Sequence, residues 1–434
     1  MFEVHIISRE TIVPSSPTPH STPTFALSLL DQIAPCTYVP LLLFYSGQPS
    51  KTSVDDVSTK LKTSLSEALS YFYPFAGRLS EDGLTVDCND EGIDFYEARV
   101  DGQLSEFLHE PAAHECNRFL PPDYHFGRSN TDMLLAAQLN VFDCGGVAIG
   151  LWVFHRVADG KSLAAFVDRW AAIARGADEM AVPIFDSARH FPAREAASAE
   201  INSAFPMHEN VVTKRFVFSA GDIARLRAGK NQDQRPPTRV EAVSALIWQS
   251  VIRAESKAEG ERLFIAMHAV NVRGRMMPPL PDHLFGNLCV DAVASWVSDG
   301  RECSGNLQQC LEWQLRDSIK KVDSEYIIQL QGPDGSSKVN EPLEELLQKY
   351  SPGCGVEICL FSSWCRFGLY DADFGWGKPT WISLAQTPFK NLIILMETRS
   401  GDGIEAWVSM DAEEMAAFEQ DEDLLSFISP PKLG

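Results

Sequence analysis

The sequence predicts an α/β chain made of two halves of similar build, and three observations carry that prediction. The chain has 434 residues, 45% of them hydrophobic and 22% charged, which exceeds one ordinary core and sets a prior of roughly two to three domains. Strand-like and helix-like runs alternate at similar density in both halves. Between them, from Gly176 to about Val211, the pattern breaks into Ala, Glu and Ser residues around Pro183 and Pro192. That stretch is longer than a compact domain normally tolerates as structureless loop. Residues 1–176 and 212–434 therefore read as two domains, with 177–211 as the crossover between them.

The elements follow in order. A Pro/Ser/Thr segment, Pro14 to Pro23, opens the chain. A helix is predicted from about Asp55 to Tyr73, because Leu61, Leu65, Ala68, Leu69 and Phe72 fall on one helical face. Pro74 and Gly77 stop it. Strands are expected at Leu84–Asp87 and Asp94–Val100. Two more, Met133–Phe142 and Val147–Phe154, are joined through Cys144-Gly145-Gly146, which reads as a hairpin turn. A helix from Ser162 to about Ala174 closes at Gly176. The second half restarts with a strand at Thr213–Phe218 and a short helix at Ala220–Arg227. Thr238 and Glu241 form a T-x-x-E capping box ahead of the run VSALIWQSVI. Strands at Leu263–Val272, Leu288–Val297, Val356–Ser362, Leu392–Glu397 and Ile404–Met410 follow, with helices at Asn306–Val322, Pro342–Lys349 and Ala412–Phe418. No short-period repeat is visible, which disfavours a solenoid or propeller.

Charge and composition exclude several roles. Lys and Arg number 37 against 59 Asp and Glu, a formal net charge of −22. A phosphate-backbone binder needs a basic footprint, so nucleic acid is disfavoured, as is an anionic membrane surface. The N-terminal segment has no charged region followed by an apolar one, and no apolar run approaches the roughly 18 residues of a spanning helix. The ten cysteines are scattered without a CxxC pair, which reads as reduced, mostly buried thiols in a cytoplasmic protein. His114-Glu115-Cys116 and Cys354…Cys359 lack a second ligand pair at zinc spacing, so no metal is expected.

Chemistry concentrates in two segments. His155-Arg156-Val157-Ala158-Asp159-Gly160 follows an apolar strand and precedes a helix, which places His155 at a strand's C-terminal end, where α/β layers hold their sites. A neutral imidazole there can take a proton from an alcohol near neutral pH. Asp159 would orient the ring or brace the loop. Taken alone, an HxxxD spacing more often marks a core histidine and a helix-capping aspartate. The second segment is Asp373-Phe374-Gly375-Trp376-Gly377-Lys378-Pro379. Its glycines permit a tight turn, and the indole offers one N–H donor that could serve a developing oxyanion. Taken alone, it is a glycine-rich turn with a packed Trp.

Other motifs carry less. Gly160-Lys161-Ser162 lacks the glycine that a Walker A loop needs five residues earlier, where His155 stands. No GxSxG elbow is present. Arg273 and Arg275, after a strand, read as ion-pair formers, with a phosphate contact as the alternative.

HRVADG followed by DFGWGKP, in that order, resembles the plant BAHD family of acyl-CoA-dependent acyltransferases. LSEALSYFYPFAGRL (Leu65–Leu79), VDCNDEGIDFYEARV (Val86–Val100), PTRVEAVSALIW (Pro237–Trp248) and NVRGRMMPPLP (Asn271–Pro281) extend the likeness over nearly the whole chain. The form SSWCRFGLYDADFGWGKP is similar to the branch whose members mostly acetylate alkaloid, terpenoid or other specialised-metabolite alcohols.

The resemblance implies two pseudo-equivalent chloramphenicol-acetyltransferase-like domains with mixed sheets flanked by helices. The first domain would carry HxxxD and the second DFGWG, with a channel at their interface. It implies that His155 deprotonates the acceptor hydroxyl, which attacks the thioester directly, and that Trp376 helps hold the oxyanion. Asp159, paired with Arg273, and Asp373 with Gly375 and Gly377, would be structural. Arg156, where relatives often have Lys, should point outward and be silent. The partners implied are acetyl-CoA or another acyl-CoA as co-substrate and a small-molecule alcohol, with no tightly bound cofactor and a monomeric protein. CoA's phosphates need a local basic pocket, and Lys378 is a candidate contributor. N-acyl transfer to an amine and a catalytically silent metabolite-binding relative are the alternatives.

Overall fold

The computed structural model describes residues 2–46, 54–126, 133–177, 181–194, 206–228, 235–255, 261–298, 306–350 and 355–429. Among these the strands are β1 (Val4–Ile12), β2 (Thr24–Ala26), β3 (Tyr38–Tyr45), β4 (Arg78–Leu79), β5 (Thr85–Asp87), β6 (Ile93–Val100), β7 (Leu135–Phe142) and β8 (Val147–Phe154) in the first half. The second half holds β9 (Val211–Phe218), β10 (Arg262–Asn271), β11 (Cys289–Ser298), β12 (Gly355–Ser363), β13 (Trp381–Ser383), β14 (Leu392–Glu397) and β15 (Ile404–Asp411). They form one six-stranded sheet in the order β1-β6-β7-β8-β3-β13 and another in the order β11-β10-β12-β14-β15-β9, beside a small sheet β2-β5-β4. Both large sheets are mixed: β6 and β7 are parallel in the first, and β12 is parallel to both β10 and β14 in the second.

Each large sheet carries a helix pair over its core. In the first half, helices Val54–Tyr71 and Gly160–Arg175 pack through Leu61, Leu65, Phe166 and Trp170, all fully buried. The Trp170 indole, too polar to bury unpaired, donates to Leu61 O and Ser64 Oγ, both at 3.1 Å. In the second half, helices Arg239–Glu255 and Leu307–Lys321 pack through Leu246, Trp248, Leu311 and Leu315. A third apolar cluster joins Leu29 and Leu30 of the first half to Val270, Val272 and Leu288 of the second.

Local signals placed most elements. The Thr238–Glu241 capping box forms, with Glu241 N donating to Thr238 Oγ1 at 3.1 Å and Thr238 N donating to Glu241 Oε2 at 2.8 Å. The hairpin between β7 and β8 closes through Gly145 N to Phe142 O at 2.8 Å, with Gly145 at φ 79°. The helix expected at Pro342–Lys349 instead runs Gly335–Lys349 with Pro342 inside it, because a proline read as a helix start is here tolerated within one.

Five strands among the described residues escaped sequence reading: the short β2 and β4, and β1, β3 and β13. β1 is mostly exposed along one edge and shows little apolar alternation. β3 is buried along most of its length and carries Pro40. That proline is accommodated because β13 pairs only with Leu42, Leu43 and Phe44, beyond Pro40. β13 itself is three residues long and comes from the second half, so the first sheet takes its last strand from across the molecule.

Residues 178–180 and 195–205 of the crossover lie outside the described residues. The part between them lies along the seam: Ile184 N donates to His283 O at 3.1 Å, and Phe285 N donates to Ile184 O at 2.9 Å.

Among the described residues seven cysteines are free thiols, whereas Cys310 is disulfide-bonded. This corrects the expectation of reduced thiols throughout, since scattered spacing does not reveal which cysteines the fold brings together. Among the described residues no helix is long and apolar enough to cross a membrane.

Gly150, in the middle of β8, marks a close approach of two segments: a Cβ there would lie 2.1 Å from Phe119 O. Gly150→Ala is therefore expected to destabilise the fold by about 1–3 kcal/mol, read as a lowered Tm. Gly221→Ala, where a Cβ would meet only Ser219 Oγ at 3.7 Å, is expected to leave Tm unchanged. Equal melting of the two variants would contradict the packing at β8.

Candidate active site

β8 reads Val-Ala-Ile-Gly-Leu-Trp-Val-Phe and is buried along its whole length. It ends where the chain turns through Val157 N to Phe154 O at 3.2 Å and Ala158 N to His155 O at 3.3 Å. His155 sits in that turn, partly exposed, its N–H donating to Thr37 O at 2.8 Å. Asp159 then caps helix Gly160–Arg175 by accepting from Ser162 N at 2.8 Å.

The same carboxylate reaches across the molecule. Arg273 Nη1 donates to Asp159 Oδ2 at 2.7 Å and Nη2 to Oδ1 at 3.2 Å, and Leu288 N also donates to Oδ2 at 3.1 Å. Arg273 further donates to Leu284 O through Nε at 3.1 Å and Nη2 at 2.9 Å, and to Gly286 O at 3.2 Å. Both partners are buried, Arg273 at 1% exposure. Burial pushes the Asp159 carboxyl up, but the Arg273 charge and the N–H donors outweigh it and hold its pKa below the ordinary value. Asp159 thus points away from the imidazole and braces the turn that carries it.

His155 is oriented from the second half. Asn287, 1% exposed, donates from Nδ2 to His155 O at 2.8 Å and to Asp31 Oδ1 at 2.9 Å. Both targets only accept, so the amide orientation is determined. Asn287 Oδ1, 3.1 Å from His155 Nδ1, is then the acceptor, and the ring proton resides on Nδ1. Nε2 is left as the lone-pair nitrogen, and among the described residues nothing hydrogen-bonds to it. Burial lowers the pKa of this histidine, only partly offset by its backbone, Asp159 and Asn287. Asp31 Oδ1 also accepts from Asn287 N at 2.6 Å, while Oδ2 accepts from Ser28 N at 2.8 Å and Ser28 Oγ at 2.6 Å. Burial raises this carboxyl to about 6, against those hydrogen bonds.

Asn287 and Asp31 were missed by sequence reading. The available signal was Gly286-Asn287 before a strand: Gly286 has φ 122°, and a Cβ there would lie 3.3 Å from Asp31 Oδ1.

Arg156 does not point outward. It is 6% exposed, with Nη1 3.0 Å from Cys36 Sγ, and its Nε and Nη2 have no partner. β8 is buried along its whole length, so the strand has no exposed face for the residue after it to continue, and the turn tucks Arg156 inward.

The glycine-rich segment lies at the other end of helix Gly160–Arg175. Arg175 Nη1 donates to Asp373 O at 3.2 Å, and Phe374 packs edge-on against Trp170 at 5.0 Å. Asp373 Oδ1 ties the turn by accepting from Gly375 N at 2.7 Å and Gly377 N at 2.9 Å, with those glycines at φ 98° and 105°. Trp376 packs against Tyr45 and Phe374 and beneath Lys60. Lys378 is exposed and paired to Asp371 at 2.7 Å. A helix of 16 residues is about 24 Å long, and His155 precedes its first turn while this segment packs on its last. The fold therefore does not bring Trp376 or Lys378 to His155. The indole at the near end is Trp364: a Cβ on Gly160 would lie 3.1 Å from its Nε1.

The Transferase family model matches residues 2–425. Stemmadenine O-acetyltransferase of Catharanthus roseus is 38% identical, covering 96% of this chain and 97% of its own. Limonoid 21-O-acetyltransferase of Melia azedarach is 38% identical, covering 98% of each. Vinorine synthase of Rauvolfia serpentina is 39% identical over 94% of each chain. A crystal structure of vinorine synthase superposes with a TM-score of 0.84 at 36% identity, covering 100% of each chain. The fold is the chloramphenicol-acetyltransferase-like arrangement of mixed sheets flanked by helices.

Removing one partner of the Asp159–Arg273 pair leaves a buried charge uncompensated, so Arg273→Met is expected to cost about 3–5 kcal/mol in urea unfolding. Folding lowers the Asp159 pKa from 3.8. The stabilisation is therefore complete above that value and lost as pH falls through the folded pKa. Unfolding that is insensitive to Arg273→Met would refute the bracing role.

Proposed function

The chain belongs to the Transferase family, the BAHD acyltransferases of plants, and from that membership we propose that it transfers an acetyl group from acetyl-CoA to a hydroxyl of an alkaloid or terpenoid alcohol. It is an acyltransferase. The named relatives acetylate such oxygens. The observation that carries the mechanism is His155, with its proton held on Nδ1 by Asn287 and Nε2 left bare.

In this reading residues 1–176 supply the base and residues 212–434 supply the groups that orient and brace it. The acceptor O–H gives its proton to His155 Nε2, and the oxygen attacks the thioester carbonyl carbon. The C–O bond forms, the C–S bond breaks, and the departing thiolate takes the proton back from the imidazolium. Charge on the tetrahedral intermediate needs an N–H donor at the same end of helix Gly160–Arg175. Trp364 Nε1, beside Gly160, fits that place.

His155→Ala is expected to lower kcat/KM by roughly 10²–10⁴-fold, read as CoA release from acetyl-CoA with a panel of alcohols. An alanine variant with full activity would sink the general-base role. An acceptor bearing both hydroxyl and amine separates O- from N-acetylation. Because burial lowers the His155 pKa below 6.5, the base is neutral above that pH. The acid limb of kcat/KM is expected to fall below 6.5. Asn287→Ala, which frees the tautomer, is expected to cost roughly 10–100-fold in kcat/KM.

A further inference from the structure

The strand that follows Asn287 carries an unpaired charge on the side that faces the base. In β11, Val290 and Ala292, like Leu288 before them, pack into the third apolar cluster. Strand alternation then puts Asn287, Cys289, Asp291 and Val293 on the opposite side. Asn287 shows where that side looks, since its amide meets His155. The Cys289 thiol stands between, its pKa held up by burial first and by the Asp159 and Asp291 charges next.

The same face continues across the second sheet. Asp291 pairs with Ala269 of β10, and Val293 pairs with Met267, which in turn pairs with Leu360 of β12. Further along, Ser362 pairs with Ile394 and Ile394 with Trp407. Ile394 and Trp407 pack into the core of the first half, so this face is turned towards that half. Away from that contact, Met267, Ala269, Leu360 and Ser362 are only half-buried. They form a mostly apolar wall at the seam, and Asp291 stands on its edge strand.

Asp291 has no hydrogen bond or ion pair among the described residues. Solvent reaches it, yet burial raises its carboxyl to about 6, with no donor or cation offsetting the shift. The two properties belong together in a cleft, where water enters but the walls displace most of it. The group is ionised at neutral pH and lacks the counter-charge that a desolvated carboxylate needs.

We propose that Asp291 selects acceptors carrying a protonated amine, its carboxylate pairing with the ammonium while the acceptor's hydroxyl lies at His155 Nε2. This rests on the acyl-transfer reading above and narrows its acceptor to cationic amine alcohols. Four residues of extended chain, from 287 to 291, span at most about 14 Å, which a polycyclic amine with nitrogen and hydroxyl at opposite ends can bridge. The apolar wall between suits its hydrocarbon body. The net charge of −22 draws cations towards the molecule, which favours such an acceptor.

The test is kcat/KM of the full chain with acetyl-CoA and a series of dimethylamino-alkanols of increasing chain length. Each is matched by its isopropyl isostere, which has the same shape without the charge. Wild type is expected to prefer the amine by roughly 10–100-fold once the chain is long enough to span the two groups. Asp291→Asn, nearly isosteric at an exposed position, is expected to abolish the preference and leave the neutral alcohols unchanged; Asp291→Glu is expected to restore it. Equal kcat/KM within each pair for wild type would overturn the proposal while leaving the transferase reading intact. So would an Asp291→Asn variant that keeps the preference, or one that lowers both members of each pair alike. A wild type that releases CoA with no alcohol at all would overturn the transferase reading itself.

Discussion

The buried ion pair between Asp159 and Arg273 is the contact on which the rest of the site depends. Asp159 caps the helix that follows His155, and Arg273 starts the turn that follows β10. Their two-point contact therefore joins the turn that carries His155, after the first sheet's β8, to the strand end of the second sheet. An ion pair with both partners buried is worth keeping only when every lone pair and N–H is satisfied, and this one is. Ser162, Leu288, Leu284 and Gly286 complete its hydrogen bonds. The aspartate of the HxxxD spacing is thus a structural clamp, and the imidazole is left to a different partner.

That partner is Asn287, and behind it Asp31. A carboxylate from the first half orders an amide from the second, which in turn orders an imidazole of the first. The chain of hydrogen bonds crosses the seam twice. These hydrogen bonds span the seam, where the apolar cluster of Leu29, Leu30, Val270 and Leu288 also packs and where β13 pairs with β3. Helix Gly160–Arg175 serves as the spacer: its start adjoins His155, and its end receives the glycine-rich turn. Two segments that look equally chemical in the sequence are separated by its length.

The overall charge of −22 sharpens the problem of an anionic donor. Long-range attraction cannot gather it, because the summed field is repulsive and is screened over roughly 8–10 Å in any case. Recognition must be local. One cavity among the described residues is lined by Lys161, Arg275 and Arg366 against a single carboxylate, Asp282.

The sequence by itself determined the α/β class and most helices and strands, and it placed His155 at a strand end before a helix, because these follow from periodicity, capping and strand-to-helix turns within a few residues. The helix at Ala220–Arg227 and the strand at Leu392–Glu397 match their expected bounds, and the Asp159 cap was legible as a spacing. Only the tertiary structure decided which donors meet which acceptors. Nothing local in Asn287, 132 residues from His155, distinguishes it from any polar residue before a strand. Nothing in Trp376 reveals that its turn packs on the far end of a helix while Trp364 lies at the near one. β13 is three residues long and has no pattern of its own, so its place in the first sheet depends on β3 offering an edge. Local sequence sets the conformation of each segment, whereas contacts between distant segments depend on packing the whole chain at once.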